Sequence, residues 1–214
     1  MRVLIVGANG KVARHSLRHF KDSDKHEAVA MIRKEEQASE LKELGAAETV
    51  IADLEGDISH AFNGIDAVIF AAGSGPHTGA DKTVLIDLWG AIKTIDEAKK
   101  QGVNRFVMIS AINVDDPEEA PEKMRHYVVA KKLADDHLKA SGLDYTIVRP
   151  GPLTNDDPTG QLLIEEKIGH RNGEITRGDV GHVVFETVDK ENTHHKVFEI
   201  LNGEALLEEA IQHV

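Results

Sequence analysis

Residues 3–6 (Val3, Leu4, Ile5, Val6) form an apolar, mostly β-branched run with no polar residue to break it. A strand with one wet face alternates, whereas a continuous run suits a strand covered on both faces, as in a parallel sheet. Further strands are predicted at 28–32, 49–52, 67–72, 106–109, 145–148 and 197–201. Between them the apolar positions change to helical spacing. Val12, Leu17 and Phe20 give the first helix an inward stripe, which leaves Arg14, His15, Arg18 and His19 on a solvated face. Helices are predicted at 35–44, at 83–101 with Gly102 past the end, and from Pro121 to about 140 before Gly142. Residues 175–180 read as an extended piece leading into a helix capped by Asp179, and 204–212 as a last helix. Residues 162–168 fit either state, and the acidic stretch 115–122 reads as a loop. Strand and helix alternate from Arg2 to Val148, which predicts an α/β fold with one doubly wound parallel sheet and helices on both faces.

Composition narrows the classes. A chain of 214 residues suffices for one sizeable domain, with 151–214 as a small substrate-side region. The net charge of −12 argues against nucleic acid or an anionic membrane as a general partner. Cysteine is absent, so disulfides, thiol nucleophiles and thiolate metal sites are excluded. No apolar run reaches membrane-spanning length and no signal segment precedes the first strand, so a cytoplasmic protein is expected. No long exposed apolar face stands out in the pattern. A monomer is therefore expected, with a dimer as the alternative. The twelve histidines are scattered. Neither His77 nor the pair His194-His195 has companions at metal-ligand spacing, so no metal is expected.

Local chemistry points to an anionic cofactor. The segment Gly7-Ala8-Asn9-Gly10-Lys11-Val12-Ala13 follows the first strand and opens the first helix. Gly7 can turn the chain, Gly10 lets an anion approach the backbone, and Ala13 lets helix and strand pack closely. This Gly-x-x-Gly-x-x-Ala spacing is a variant of the dinucleotide fingerprint, and it makes the expected sheet Rossmann-type. The second strand ends in Arg33-Lys34, where an NAD-binding chain carries an acid for the ribose hydroxyl. Two cations there suit a 2′-phosphate and predict NADP(H) over NAD(H). Asp53-Leu54 follows the third strand and suits an adenine amino group, or a turn cap. Ala71-Ala72-Gly73 closes the fourth apolar run and leaves room for the second ribose. Tyr127 and Lys131 lie one helical turn apart, so the ammonium is expected to lower the phenol pKa. Ser110 leaves the fifth strand.

In this order, Gly7-x-x-Gly10-x-x-Ala13, Asp53-Leu54, Ala71-Ala72-Gly73, Ser110, Tyr127-x-x-x-Lys131 and Arg149-Pro150-Gly151 resemble the short-chain dehydrogenase/reductase superfamily. The glycine spacing is similar to that of its extended members, the epimerases and dehydratases. The short stretch after Pro150 resembles the atypical branch. The resemblance implies Tyr127 as proton donor or acceptor, Lys131 on the nicotinamide ribose, and Ser110 on the substrate oxygen. It implies Gly7, Asn9, Gly10, Lys11, Val12, Pro150, Gly151 and Leu153 as cofactor contacts. The position of the family's relay Asn holds Asp87 here, a departure that bears on the relay. The leading expectation is an NADP-dependent oxidoreductase acting on a small carbonyl or alcohol. A non-catalytic NADP(H) sensor, a redox-neutral epimerase or dehydratase, and a flavin or tetrapyrrole reductase stand as alternatives. The substrate is a small molecule, and its pocket is expected from loops 74–81, 112–122 and 153–172.

Overall fold

The computed structural model describes residues 1–75, 77–169 and 172–214. Pro76 of the expected loop 74–81, and His170 and Arg171 of the loop 153–172, lie outside the described residues. The strands are β1 (Arg2–Val6), β2 (Glu27–Ile32), β3 (Ala46–Ile51), β4 (Ala67–Phe70), β5 (Arg105–Ile109) and β6 (Asp144–Pro150). They are followed by β7 (Leu153–Thr154), β8 (Gln161–Glu165), β9 (Ile175–Thr176), β10 (Lys196–Asn202) and β11 (Ala205–Leu206). A nine-stranded sheet runs in the order β11-β8-β10-β6-β5-β4-β1-β2-β3, and β7 pairs with β9. From β10 to β3 all neighbours are parallel, while β8 and β11 add an antiparallel edge. The strand order reverses between β1 and β4, which is where an open α/β sheet forms its crevice.

The continuous apolar runs do what their pattern implies. In β1, Val3 and Ile5 enter one core while Leu4 and Val6 enter the other; β4 divides in the same way. One face is covered by α1 (Lys11–Lys21), α2 (Ala38–Leu44), and, beyond the short α3 (Ala80–Lys82), by elements late in the chain. The opposite face carries α4 (Ala91–Gln101) and α5 (Glu122–Ala140). The late elements on the first face are α6 (Arg177–Glu186) and α7 (Leu207–Gln212).

Several elements depart from the sequence pattern. The third strand starts earlier than expected, at Ala46, and the ambiguous 162–168 stretch contributes most of β8, held between β10 and β11. The helix expected at 35–44 begins as a 3₁₀ turn, Glu35–Gln37. The last helix starts at Leu207 because Ala205–Leu206 pair with β8. Asp179 is not the cap of α6. Thr176 caps it, accepting from Asp179 N at 3.0 Å, and the buried Asp179 carboxylate takes the N–H groups of Thr159 and Gly160, each at 2.9 Å.

The helix expected at 83–101 begins at Ala80, and Thr83–Gly90 within it is π-helical. A π turn closes i to i+5. Val84 and Trp89, five apart, therefore share an outward face and are each about half exposed, at 51% and 52%. Met124, Val129 and Leu133 on α5 are exposed as well. These exposed apolar positions go beyond the reading that no long exposed apolar face stands out. The solvated histidine face of α1 also needs correction. His19 stacks on His182 of α6, with ring centroids 4.1 Å apart and planes 8° from parallel. Burial, and the neighbouring His182, push its pKa down to about 4.

The α1–α6 contact is close because Gly181 has no side chain. A Cβ there would lie 2.8 Å from Ser16 N and 2.9 Å from Val12 O, backbone atoms that cannot swing away. Gly181→Ala gains up to about 1 kcal/mol in helix propensity. The overpacking costs about 1–3 kcal/mol. A net loss of stability is expected, read as a lower urea midpoint with an unchanged slope.

Candidate functional site

The exits of β1 and β4 set the geometry of the cleft. Gly7 leaves β1 with φ +82°, and a Cβ on it would sit 2.6 Å from Ala72 Cα. Both facts require glycine, since a side chain would be strained and would strike backbone. Gly10 N donates to Gly7 O at 2.9 Å, closing the turn, and Gly10 is the N-cap of α1. At Gly10 a Cβ would meet Gly7 O at 3.1 Å and little else, so the missing side chain leaves open space rather than serving the packing.

That space is one end of a cavity of about 380 Å³. Of the residues singled out in the sequence, Gly7, Asn9, Gly10, Arg33, Asp53, Leu54, Ala71, Ala72 and Gly73 line it. The pattern missed Met31, Ile32 and Ala52, the ends of β2 and β3, which supply apolar wall. It also missed Gln37, whose Oε1 accepts from the backbone N of Arg33 at 3.1 Å and of Lys34 at 3.2 Å. A glutamine in the first turn after a strand end is a signal that capping rules carry. Lys82 and Glu55 also line the cavity and pair at 2.5 Å, tying α3 to the β3 exit loop. Asp53 Oδ1 accepts from Glu55 N at 2.9 Å, so part of this carboxylate serves the turn.

Other expected cofactor contacts do not line the cavity. Lys34 pairs with Glu36 at 3.5 Å and points elsewhere. Val12 is half-buried, with its carbonyl under Gly181. Pro150 is buried in β6, and its carbonyl accepts from Ile112 N at 3.0 Å. Gly151 is explained by packing, because a Cβ on it would meet Leu201 Cδ2 of β10. Leu153 belongs to β7, and its carbonyl is taken by Arg177. Lys11 reaches toward Asn155.

The expected catalytic set lies beyond the cavity, around β5 and α5. Asp87 is buried beneath the β4 exit, where Oδ2 accepts from Ser74 N at 3.0 Å and Oδ1 faces Gly73. The π-helical turn brings it there. Lys131 is buried, and its Nζ donates to Ile109 O at 2.6 Å. Burial lowers its pKa, against the attraction of Asp87 and Asp135. Tyr127 is half-buried, and its hydroxyl makes no hydrogen bond among the described residues. Burial raises its pKa, and the charges of Asp87 and Asp135 raise it further. The expectation that Lys131 lowers this pKa is therefore overturned. The ammonium is turned to a backbone carbonyl, and the charges that reach the phenol are negative.

Ser110 is also more enclosed than expected. Its Oγ is buried without a well-aligned partner, as is Asp135 Oδ1, and the hydroxyl lies near enough to favour that carboxylate. Asp135 is fully buried on α5 and had no signal in the sequence beyond its helical spacing from Lys131. Arg149 Nε donates to Asp135 Oδ2 at 3.0 Å, while NH1 and NH2 donate to the two Asp115 oxygens at 2.7 and 2.9 Å. Burial opposes the charge on Arg149, yet these two carboxylates hold its pKa above the ordinary value. Arg149 thus neutralises a buried acid rather than facing a ligand. Among the described residues no cluster of three or more metal-ligating side chains forms. No helix there is long and apolar enough to cross a membrane.

A family described as NAD(P)H-binding matches residues 7–191 of this chain. The chain is 42% identical to a Bacillus subtilis protein called uncharacterized sugar epimerase YhfK, over 99% of each chain. It is 57% identical to a protein of Bacillus halodurans named as a candidate NAD-dependent epimerase/dehydratase, whose structure superposes with a TM-score of 0.98 over 100% of both chains. A Lactococcus lactis structure named as the oxidoreductase ylbE is 29% identical, with a TM-score of 0.86 over 100% of this chain and 96% of that one.

The two glycines of the turn separate fold from binding. Gly10→Val places a branched side chain into the cavity from a backbone with φ −69°, which valine tolerates. The expected outcome is a folded protein that no longer quenches or shifts nicotinamide-cofactor fluorescence on titration, checked against circular dichroism of the same sample.

Proposed function

The chain belongs to the NAD(P)H-binding family, with an atypical short-chain dehydrogenase/reductase-like sequence on a Rossmann-type sheet, and on that premise we propose that it is an NADP-dependent oxidoreductase. Its substrate is a small carbonyl or alcohol. The observation that carries the cofactor choice is Arg33. It lines the cavity at the end of β2 and makes no ion pair among the described residues. Gln37 pins the backbone beneath it and leaves the guanidinium available. A planar guanidinium meets a phosphate through two parallel hydrogen bonds. The cradle at Gly7 and Gly10, clear of side chains, fits a pyrophosphate.

When bound, the nicotinamide supplies or takes up a hydride. This chain supplies the proton. Tyr127 carries the proton in this reading: burial and the charges of Asp87 and Asp135 raise its pKa, so the phenol is protonated across the neutral range. In the reductive direction the phenol protonates the oxygen of a carbonyl receiving hydride. Lys131 acts from within: bonded to Ile109 O, it joins α5 to β5 and offsets the buried charges of Asp87 and Asp135. The name of the Bacillus subtilis relative supports a redox-neutral version of the same chemistry, in which the hydride returns to the substrate.

One observation favours a second reading. Ser110 Oγ is buried and Lys131 Nζ is spent on a backbone carbonyl, so two of the three expected catalytic groups do not face an open cleft. A nicotinamide-binding sensor that reports redox state to a partner needs neither. A small-molecule substrate and a monomeric, cytoplasmic working form belong to the enzyme reading.

Two measurements test these assignments. In parallel titrations, NADPH is expected to bind more tightly than NADH, and Arg33→Asp to narrow the gap by weakening NADPH. Equal affinities in the parent would reject the role of Arg33. In assays against a panel of carbonyls and flavins, Tyr127→Phe is expected to lower turnover by about 10²–10⁴-fold with little change in NADPH affinity. Undiminished turnover would favour water as the proton source, and no turnover with tight binding would favour the sensor.

A further inference from the structure

Lys11 opens α1, Arg177 opens α6, and the two side chains reach the same atom. Lys11 Nζ donates to Asn155 Oδ1 at 3.3 Å, and Arg177 NH1 donates to that oxygen at 3.0 Å. The same Arg177 nitrogen also donates to Leu153 O at 3.0 Å. One neutral amide oxygen therefore faces two full positive charges. Neither cation is in an ion pair among the described residues, although the chain holds 37 acidic residues against 25 basic ones. Asp156 and Asp157, next along the chain, pair with neither. Arg14 has Glu40, and Arg149 has Asp115 and Asp135, while the buried Arg105 has its guanidinium satisfied by carbonyls and threonine hydroxyls. His15, one turn along α1 from Lys11, is also under this charge. Its pKa is lowered by burial first, then by Arg18 and Arg177.

The sheet order says which half of the cleft this is. β2 and β3 lie on one side of β1, and β4, β5 and β6 lie on the other. Arg33 and Asp53 leave β2 and β3, whereas Asn155 follows β6 and β7. The cluster thus lies across Gly10 from Arg33, on the side of β4, β5 and β6.

We propose that Lys11, Asn155 and Arg177 form a second oxyanion site, which takes a phosphate group of the substrate. This rests on the cofactor reading above and adds a substrate class to it: phosphate esters or diphosphates carrying the reducible or epimerised centre. A phosphate presents enough acceptor oxygens to engage the Lys11 ammonium, the Arg177 fork and the Asn155 amide N–H together. In the ligand-free arrangement the Asn155 oxygen stands in for that anion. The cofactor's own diphosphate offers the same chemistry, so the experiment must tell the two sources apart.

The test is calorimetric titration of inorganic phosphate into protein saturated with NADPH, beside an NADPH titration without phosphate. Phosphate is expected to bind the saturated parent. Arg177→Met and Asn155→Asp are each expected to weaken it about tenfold or more, the usual scale for losing a charge-assisted bond. NADPH affinity is expected to be unchanged in Arg177→Met. Asn155→Asp guards against misfolding, since a carboxylate between the two cations should leave the denaturation midpoint equal or higher. No phosphate binding in the saturated parent, or full retention in both variants, overturns the site. An equal loss of NADPH affinity in Arg177→Met also overturns it, because the cations then serve the cofactor. Failure of the parent to bind NADPH overturns the cofactor reading as well, whereas failure of phosphate alone leaves that reading standing.

Discussion

Gly7 passes over Ala72 with no room for a single carbon between them. That approach fixes the distance between the exits of β1 and β4, and everything about the cleft follows from it. The turn it forces carries Gly10 to the start of α1, so the free N–H groups there face the crevice at the point where the strand order reverses. A side chain at Gly7 would push the β4 exit away and spread the floor of the cavity. At Gly10 a side chain would occupy the cavity and leave the frame intact. Two glycines three residues apart thus do different work, one allowing close packing and one leaving the cavity open.

Charge is handled by a second constraint. Asp87, Lys131, Asp135 and Arg149 are all nearly or wholly buried around β5 and α5. Burying an unpaired charge costs several kcal/mol, so each must meet a partner. Arg149 takes Asp135 and Asp115, Lys131 takes a backbone carbonyl within reach of two acids, and Asp87 takes the Ser74 amide. The result is a buried layer of partnered charges around β5 and α5. The phenol of Tyr127 lies at its edge. Its surroundings are apolar and negative, so its proton is held firmly.

Much of the frame was legible because it depends on local pattern. Unbroken apolar runs gave strands covered on both faces, and the glycine spacing gave the turn. Arg33 could be placed because it ends a strand whose neighbour carries the fingerprint. The misses share a cause. The π-helical stretch Thr83–Gly90 arises from packing, and it turns Val84 and Trp89 outward and Asp87 inward against a 3.6-residue reading. Strand β8 is defined by its partners β10 and β11 and not by its own residues. Gly151 looked like a cofactor contact, but its reason is Leu201 on a strand fifty residues later.

The sequence by itself determined the α/β alternation, the doubly covered sheet, the cradle at Gly7 and Gly10, and a cation in place of the usual acid after β2. These follow from backbone conformation and from the period of burial, which a few adjacent residues express. Only the tertiary structure decided which ionisable groups meet. Tyr127 and Lys131 are one turn apart in any helix, yet the ammonium turns to Ile109 and the charges that act on the phenol are those of Asp87 and Asp135. A pKa depends on the burial and charges that surround a group in space, and residues remote along the chain supply them.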